Sequence, residues 1–151
     1  MIRVEEPAFD VGAELGAFGR NDTAVGAVAS FVGYVRDSGT PPLVALTLEH
    51  YPGMTERQLA AIEVEARARW PLIDVLVIHR HGRMLPGEPI VLVAVSSAHR
   101  QAAFAACEFL MDWLKTKAPF WKLEETSEGA EWVAARASDE AAADRWKQGE
   151  P

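Results

Sequence analysis

Two lysines flank a proline in the segment MDWLKTKAPFWK, residues 111–122. Lys115 falls in the last turn of a predicted helix, and Lys122 follows Pro119 on a predicted strand. A helix end and the strand that leaves it can present both amines to one pocket. Two ammonium groups held close together attract an anion, lower each other's pKa and can move protons. The alternative is a pair of solvated lysines near the negative end of a helix dipole, and spacing alone leaves both interpretations open.

A second group of candidate residues lies where a buried strand meets a helix, in Ser96-Ser97-Ala98-His99-Arg100. Free backbone N–H groups and the positive end of a helix dipole suit phosphate. Arg100 adds a planar set of donors and His99 a titratable ring. The alternative is an ordinary capped helix with two exposed polar residues. Arg36 ends another predicted strand beside a Gly/Pro loop, and is either an anion-binding arginine or a surface one.

Other reactive side chains are interpreted as structural. His79 and His81 stand in a His-Arg-His sequence, and two histidines without a nearby carboxylate or thiol are more often structural than metal ligands. Cys107 is the only cysteine, which excludes an internal disulfide and a cysteine-based zinc site. Its place on the apolar stripe of a helix predicts an inert core thiol. Glu49 and His50 are neighbours on a strand and point to opposite faces, so they are poor partners for proton relay.

The elements that must position these residues are strands and helices without a strict alternation, which predicts an α+β fold. Strands are predicted over residues 23–36, 43–51, 73–79, 90–95 (central in its sheet) and 120–125. One helix follows a capping box at Thr55 and Gln58 and ends before Pro71. The second runs from about His99 to Lys117, with Ser96 and Ser97 as N-caps. Its apolar stripe is Phe104, Cys107, Met111 and Leu114. The tail, about residues 139–151, is helix-prone and expected to fray.

Length and charge limit the classes of function. The chain has 151 residues, which predicts a single domain over 1–151. It carries 22 acidic and 15 basic residues and a formal net charge of −7, which argues against nucleic-acid binding. No apolar run approaches the about 20 residues of a membrane span, and no signal peptide is visible. The expected compartment is therefore the cytoplasm.

Five blocks of the sequence together resemble a known family, the large, catalytic subunit of molybdopterin synthase. They are FVGYVRDSG (31–39), LEHYPGM (48–54), SSAHR (96–100), MDWLKTKAPFWK (111–122) and WVAARASD (132–139). Their order and spacing match the family from about residue 20 to residue 146. The resemblance implies an α+β fold of the α/β-hammerhead type, with a mixed, mostly antiparallel sheet and two main helices.

The resemblance also implies an activity and partners. The family installs two sulfurs on a cyclic pyranopterin monophosphate to make molybdopterin, as a sulfurtransferase without a metal or redox cofactor. Sulfur arrives as a thiocarboxylate on the C-terminal Gly-Gly tail of a small ubiquitin-like subunit. Two large subunits form a central homodimer with one small subunit at each end, a heterotetramer in which each active site draws residues from both large subunits.

Site residues are carried over position by position. The essential lysine of the family falls on Lys115 and the second on Lys122. The remaining substrate-binding positions fall on Tyr34, Val35, Arg36, His99, Arg100, Leu123, Glu124 and Arg136, with His99 and Arg100 expected from the neighbouring subunit. The chain departs from the family at Lys117, where arginine is common, at Leu123, where a basic residue is common, and at the alanines flanking Arg136. These departures concern the tuning of the pocket rather than the lysine pair.

Two other functions remain open at this point. One is a non-catalytic dimeric module that holds a phosphorylated ligand or a small partner in the same anion pocket. The other is a sulfurtransferase that carries a persulfide on Cys107, against which the predicted burial of this thiol counts.

Overall fold

The computed structural model describes residues 1–37, 39–133 and 137–147, the last range by its backbone alone up to residue 140. In chain order these residues form β1 (Ile2–Glu5), α1 (Val11–Ala17), β2 (Ala27–Tyr34), β3 (Leu43–His50), α2 (Met54–Arg69), β4 (Leu72–Arg80), β5 (Gly82–Met84), β6 (Pro89–Ser97), α3 (Arg100–Thr116), β7 (Phe120–Thr126), β8 (Gly129–Val133) and α4 (Ala137–Lys147).

The strands form two sheets of four. The first has the order β1-β4-β6-β2, in which β1 lies parallel to β4 and the other pairs are antiparallel. The second has the order β5-β3-β7-β8 and is antiparallel throughout. The predicted α+β class and the central place of the strand at 90–95 are confirmed. The described strands differ from the single predicted sheet because β3 and β7 pair with each other rather than with β6.

The main core lies between the first sheet and helices α2, α3 and α4. Alternate residues of β6, Val91, Val93 and Val95, pack against apolar residues of α2 and α3. The opposite face of this sheet is covered by α1 and the residues around it, through Phe9, Val11, Leu15 and Phe18. The first sheet is therefore enclosed on both faces, which explains why β6 is almost entirely apolar.

The predicted capping box of α2 is wrong. The helix begins at Met54 with Gly53 as its N-cap, two residues before Thr55, and the Glu56 carboxylate accepts the Gly53 N–H at 2.6 Å. Gly53 has a φ of 82°, a conformation that favours glycine, so the chain turns into the helix here. The Thr55 hydroxyl is buried, accepts the Tyr51 N–H at 3.0 Å and faces the Pro119 carbonyl at 3.4 Å. Thr55 thus joins the start of α2 to the turn before β7.

The predicted N-caps of the second helix, Ser96 and Ser97, are also wrong. Ser96 and Ser97 are the last residues of β6, and Ser97 donates its hydroxyl proton to the Pro71 carbonyl at 2.8 Å. The N-cap of α3 is His99. The sequence could not distinguish these positions because serine also ends strands. Of the predicted apolar stripe, Cys107, Met111 and Leu114 are buried, whereas Phe104 is 66% exposed.

Candidate active site

A cavity of about 550 Å³ opens where the two sheets meet the C-terminal end of α3. Its wall includes the end of β2, the centre of β3, the start of β6, the last turns of α3 and one face of β7. Both Lys115 and Lys122 line it. The structure therefore brings together the two amines that the sequence places on either side of Pro119.

The local chain path explains why the two lysines meet. Helix α3 ends at Thr116, and Lys117 caps it with its N–H on the Trp113 carbonyl. Pro119 cannot continue the helix, and the chain enters β7 at Phe120. Side chains alternate along a strand, so Phe120, Lys122 and Glu124 share one face and line the cavity. Leu123 points away from it and lies opposite Trp132 of β8.

The predicted segment at the end of β2 lines the same cavity, through Tyr34, Val35 and Arg36. Val35 is buried and exchanges backbone hydrogen bonds with the turn before β6, from its N–H to the Glu88 carbonyl at 2.9 Å and from the Gly87 N–H to its carbonyl at 2.7 Å. These bonds fix the strand end from which Arg36 extends. A guanidinium thus joins the two amines around the opening.

His99 and Arg100 lie elsewhere in this chain. They stand at the N-terminal end of α3, and Lys115 follows Arg100 by 15 residues on the same helix. At 1.5 Å per residue that places the two ends about 22 Å apart. The structure therefore does not bring His99 and Arg100 into the cavity of their own chain. Arg136 lies outside the described residues.

His79 is a cavity residue that the sequence analysis interprets only as structural. It is buried, lines the cavity and stacks on Phe120, with ring centroids 3.8 Å apart and planes 16° from parallel. Its pKa is lowered to about 4, chiefly by burial and in smaller amounts by Lys115, Lys122 and His50, while the hydrogen bond to the Arg80 carbonyl acts to raise it. His79 is therefore neutral at pH 7. The signal for this position is its place at the end of a buried strand, but only the pairing of β3 with β7 brings Phe120 onto it.

The other reactive side chains lie outside the cavity. His81 stacks on His50 with centroids 4.2 Å apart. Cys107 is buried on α3, and burial raises its pKa to about 11. The prediction of a core thiol is confirmed. Within the described residues, no group of three or more His, Cys, Asp or Glu side chains could hold a metal ion.

The fold and the cavity define an α+β protein whose pocket is lined by three cationic side chains and the carboxylate of Glu124, on a chain of net negative charge. Such a pocket concentrates positive potential in an otherwise acidic surface. No described helix combines the length and apolar character needed to cross a membrane.

Comparisons with known proteins identify the family. The MoaE protein family model matches residues 4–117. The chain is 57% identical to the molybdopterin synthase catalytic subunit of Pseudomonas aeruginosa, over 97% of this chain and 99% of the relative. It is 57% identical to that of Escherichia coli K12, over 96% of this chain and 97% of the relative. The molybdopterin biosynthesis MoaE protein from Burkholderia ambifaria shares its fold with a TM-score of 0.83 and 52% identity, covering 97% of each chain.

The chain belongs to the MoaE family, the catalytic subunits of molybdopterin synthase, which are enzymes of molybdenum cofactor biosynthesis. The solved structure of molybdopterin synthase from Staphylococcus aureus has the same fold, with a TM-score of 0.81 and 30% identity. The match covers 87% of this chain and 96% of the Staphylococcus aureus chain. The resemblance inferred from the sequence blocks and its fold class are thereby confirmed.

Proposed function

We propose that the chain transfers sulfur from the thiocarboxylate tail of a small ubiquitin-like subunit to a cyclic pyranopterin monophosphate. The observation that carries the proposal is the meeting of Lys115 and Lys122 in one open cavity with Arg36 at its wall. The substrate carries a phosphate and the donor tail ends in an anion. A site that binds both needs several cations within one pocket, and these three side chains supply them.

In the proposed reaction, the thiocarboxylate sulfur attacks a side-chain carbon of the pterin, and the new carbon–sulfur bond replaces that carbon's bond to oxygen, so that the oxygen leaves with a proton. Lys115 stabilises the negative charge that develops or donates a proton to the atom that carries it. A fixed cation stabilises such charge best in a partly enclosed pocket. Lys122 orients the carbonyl of the tail. Water then attacks that carbonyl, so the tail leaves as a carboxylate and the sulfur stays on the pterin. A second loaded partner repeats the transfer.

The partner belongs to the proposal as well. A solved Helicobacter pylori structure, 21% identical to this chain, is a protein–protein complex of subunits 1 and 2 of molybdopterin-converting factor. For this chain we propose a small sulfur carrier whose C-terminal tail enters the cavity. An opening lined by two lysines suits an extended Gly-Gly tail that ends in an anion, because glycine allows close backbone approach.

We also propose that the site is completed by a second copy of the chain. Strand β2 is an edge of the first sheet and exposes Val28, Phe31 and Tyr34 along its length. Its start lies beside the segment before His99, since the Gly26 N–H donates to the Ser97 carbonyl at 3.0 Å. Its end lines the cavity.

A two-fold axis that sets two β2 edges against each other in antiparallel fashion places the start of one strand beside the end of the other. His99 and Arg100 of the second copy then reach the mouth of the cavity, where they add phosphate-binding groups. The ring of Phe104, one turn after Arg100 on α3, is exposed as well. This arrangement explains how residues about 22 Å from Lys115 in their own chain can serve one site.

The decisive experiment mixes the chain with a thiocarboxylated partner and the cyclic pterin phosphate and measures dithiolene product. Lys115→Ala is expected to lower the rate at least about 100-fold, the size of effect found when one group that stabilises developing charge is removed. Lys117→Ala is the matched control, because Lys117 lies over the Trp113 ring outside the cavity. Near-normal turnover by Lys115→Ala would overturn the proposal. Ligand binding without turnover by the unaltered chain would instead support the non-catalytic module.

A further inference from the structure

The turn between the two lysines is held to the rest of the molecule at two described points. The carbonyl of Pro119 faces the Thr55 hydroxyl at 3.4 Å. The ring of Phe120 stacks on His79 at 3.8 Å between centroids. Because Lys115 lies in the last turn of α3 and Lys122 lies two residues after Phe120 on the same face of β7, the connection between them sets the distance between the amines.

His79 is itself firmly anchored. A carbonyl can only accept a hydrogen bond, so Nδ1 of His79 carries the proton and donates to the Arg80 carbonyl at 2.9 Å. The buried Arg80 side chain in turn donates to the carbonyls of Glu6 at 3.0 Å and Pro89 at 3.1 Å. Tautomer, ring plane and strand end are thereby fixed, and the imidazole presents a rigid flat surface to Phe120.

The charge of the imidazole matters as well as its shape. The titratable groups that act to lower its pKa are Lys115 from α3, Lys122 from β7 and His50 from β3. A protonated ring here would repel the same amines that bind the anionic reactants. Burial keeps the ring neutral, so its contact with Phe120 does not compete with the positive charge of the cavity.

We propose that His79 is a positioning residue of the sulfur-transfer site, whose neutral ring holds Phe120 and thereby sets Lys122 against Lys115. The proposal rests on the proposed function of the two lysines. A displacement of about 1 Å in a reacting geometry can lower the rate on the order of 100-fold. The contact between His79 and Phe120 can therefore affect turnover through the position of Lys122 alone.

Two substitutions distinguish the role of the flat ring from the role of the ring nitrogens that form hydrogen bonds. His79→Gln keeps a neutral hydrogen-bonding group but has no ring to stack on Phe120. His79→Phe keeps a neutral flat ring and loses the bond to Arg80. We expect kcat of His79→Gln to fall at least about tenfold with KM for the loaded partner changed less than about threefold, since orientation and not docking is lost. His79→Phe is expected to restore kcat to within about threefold of the unaltered chain.

Ile78→Val is the matched control for lost stability. Ile78 is fully buried on the neighbouring position of β4 and packs on the opposite face of the sheet, away from the cavity. Phe120→Leu tests the same contact from its other side, which keeps the proposal testable if His79→Gln does not fold. It is expected to lower kcat with little change in KM.

Equal kcat for His79→Gln and the unaltered chain would overturn the proposal, as would a loss in His79→Phe as large as that in His79→Gln. Failure of the underlying function is distinguishable, because it would appear as product formation by Lys115→Ala in the same assay.

Discussion

Because the buried ring of His79 is neutral, the free energy of unfolding depends on pH in a measurable way. In the folded chain burial lowers its pKa to about 4, against an ordinary value of 6.5. The unfolded chain therefore binds more protons between these two values, and the free energy of unfolding falls as the pH is lowered through this window. The full contribution of His79 to the free energy of unfolding is present above about pH 6.5, and it is lost below about pH 4.

We expect this contribution to reach about 3 kcal/mol, from the difference between the two pKa values. Urea unfolding of the unaltered chain and of His79→Phe between pH 4 and pH 8 measures it, because the carboxylates contribute equally to both. The difference in stability between the two proteins should change with pH by this amount. A constant difference would show that His79 does not titrate on unfolding.

Single residues also show how far the sequence alone can lead. The meeting of Lys115 and Lys122 in one pocket was one of two interpretations that the spacing left open, because a helix end and the strand that leaves it can present both amines to one pocket. The role of His79 was not predictable, because the histidine of a buried strand gains a role only from what a different sheet lays against it. His99 and Arg100 were found as a candidate pair, and the predicted helix from about His99 to Lys117 already implies a separation of about 22 Å from Lys115. No local pattern shows which cavity the pair serves.

At the scale of elements, α3 carries Lys115 near its C-terminal end, and α4 packs against this part of α3. Trp146 of α4 is buried, and its indole N–H donates to the Asp112 carboxylate at 2.6 Å, one turn before Lys115. Its ring packs edge-on against Phe109 of α3. The Trp146 carbonyl accepts a hydrogen bond from Arg69 of α2 at 2.9 Å. The helix-prone tail thus contributes Ala143 and Trp146 to the core.

Trp146→Ala is expected to lower the free energy of unfolding by about 3–5 kcal/mol, the range for removing a large buried aromatic side chain. Chemical denaturation monitored by circular dichroism measures the change. Trp132→Ala is the control, since Trp132 is 58% exposed on β8 and surface changes usually cost less than about 0.5 kcal/mol. Equal losses in the two variants would contradict the assignment of α4 to the core.

Element types were predictable and their ends were not. The apolar run at residues 90–95 indicated a central strand, and it is one. The predicted capping residues Thr55, Ser96 and Ser97 were wrong because serine and threonine also make hydrogen bonds within strands and turns. Ser97, for instance, bonds the Pro71 carbonyl from the end of β6. The division into two sheets depends on pairing between distant segments, which periodicity along the chain does not encode.

At the scale of the whole molecule, the proposed second copy makes a prediction that no single chain can satisfy. Lys115 lines the cavity of its own chain, whereas Arg100 would serve the cavity of its neighbour. An equal mixture of Lys115→Ala and Arg100→Ala chains, dissociated and reassembled, should recover about a quarter of full activity, because half of the dimers are mixed and each has one intact site.

The matched control mixes Lys115→Ala with Lys122→Ala. Both lysines line one cavity within a single chain, so every site in the mixed dimer lacks one of them and no activity should return. Product formation in the first mixture and background in the second can arise only if Arg100 acts across the dimer. Background in both would mean that Arg100 does not complete the neighbouring site, and the β2 edge would then need a different role.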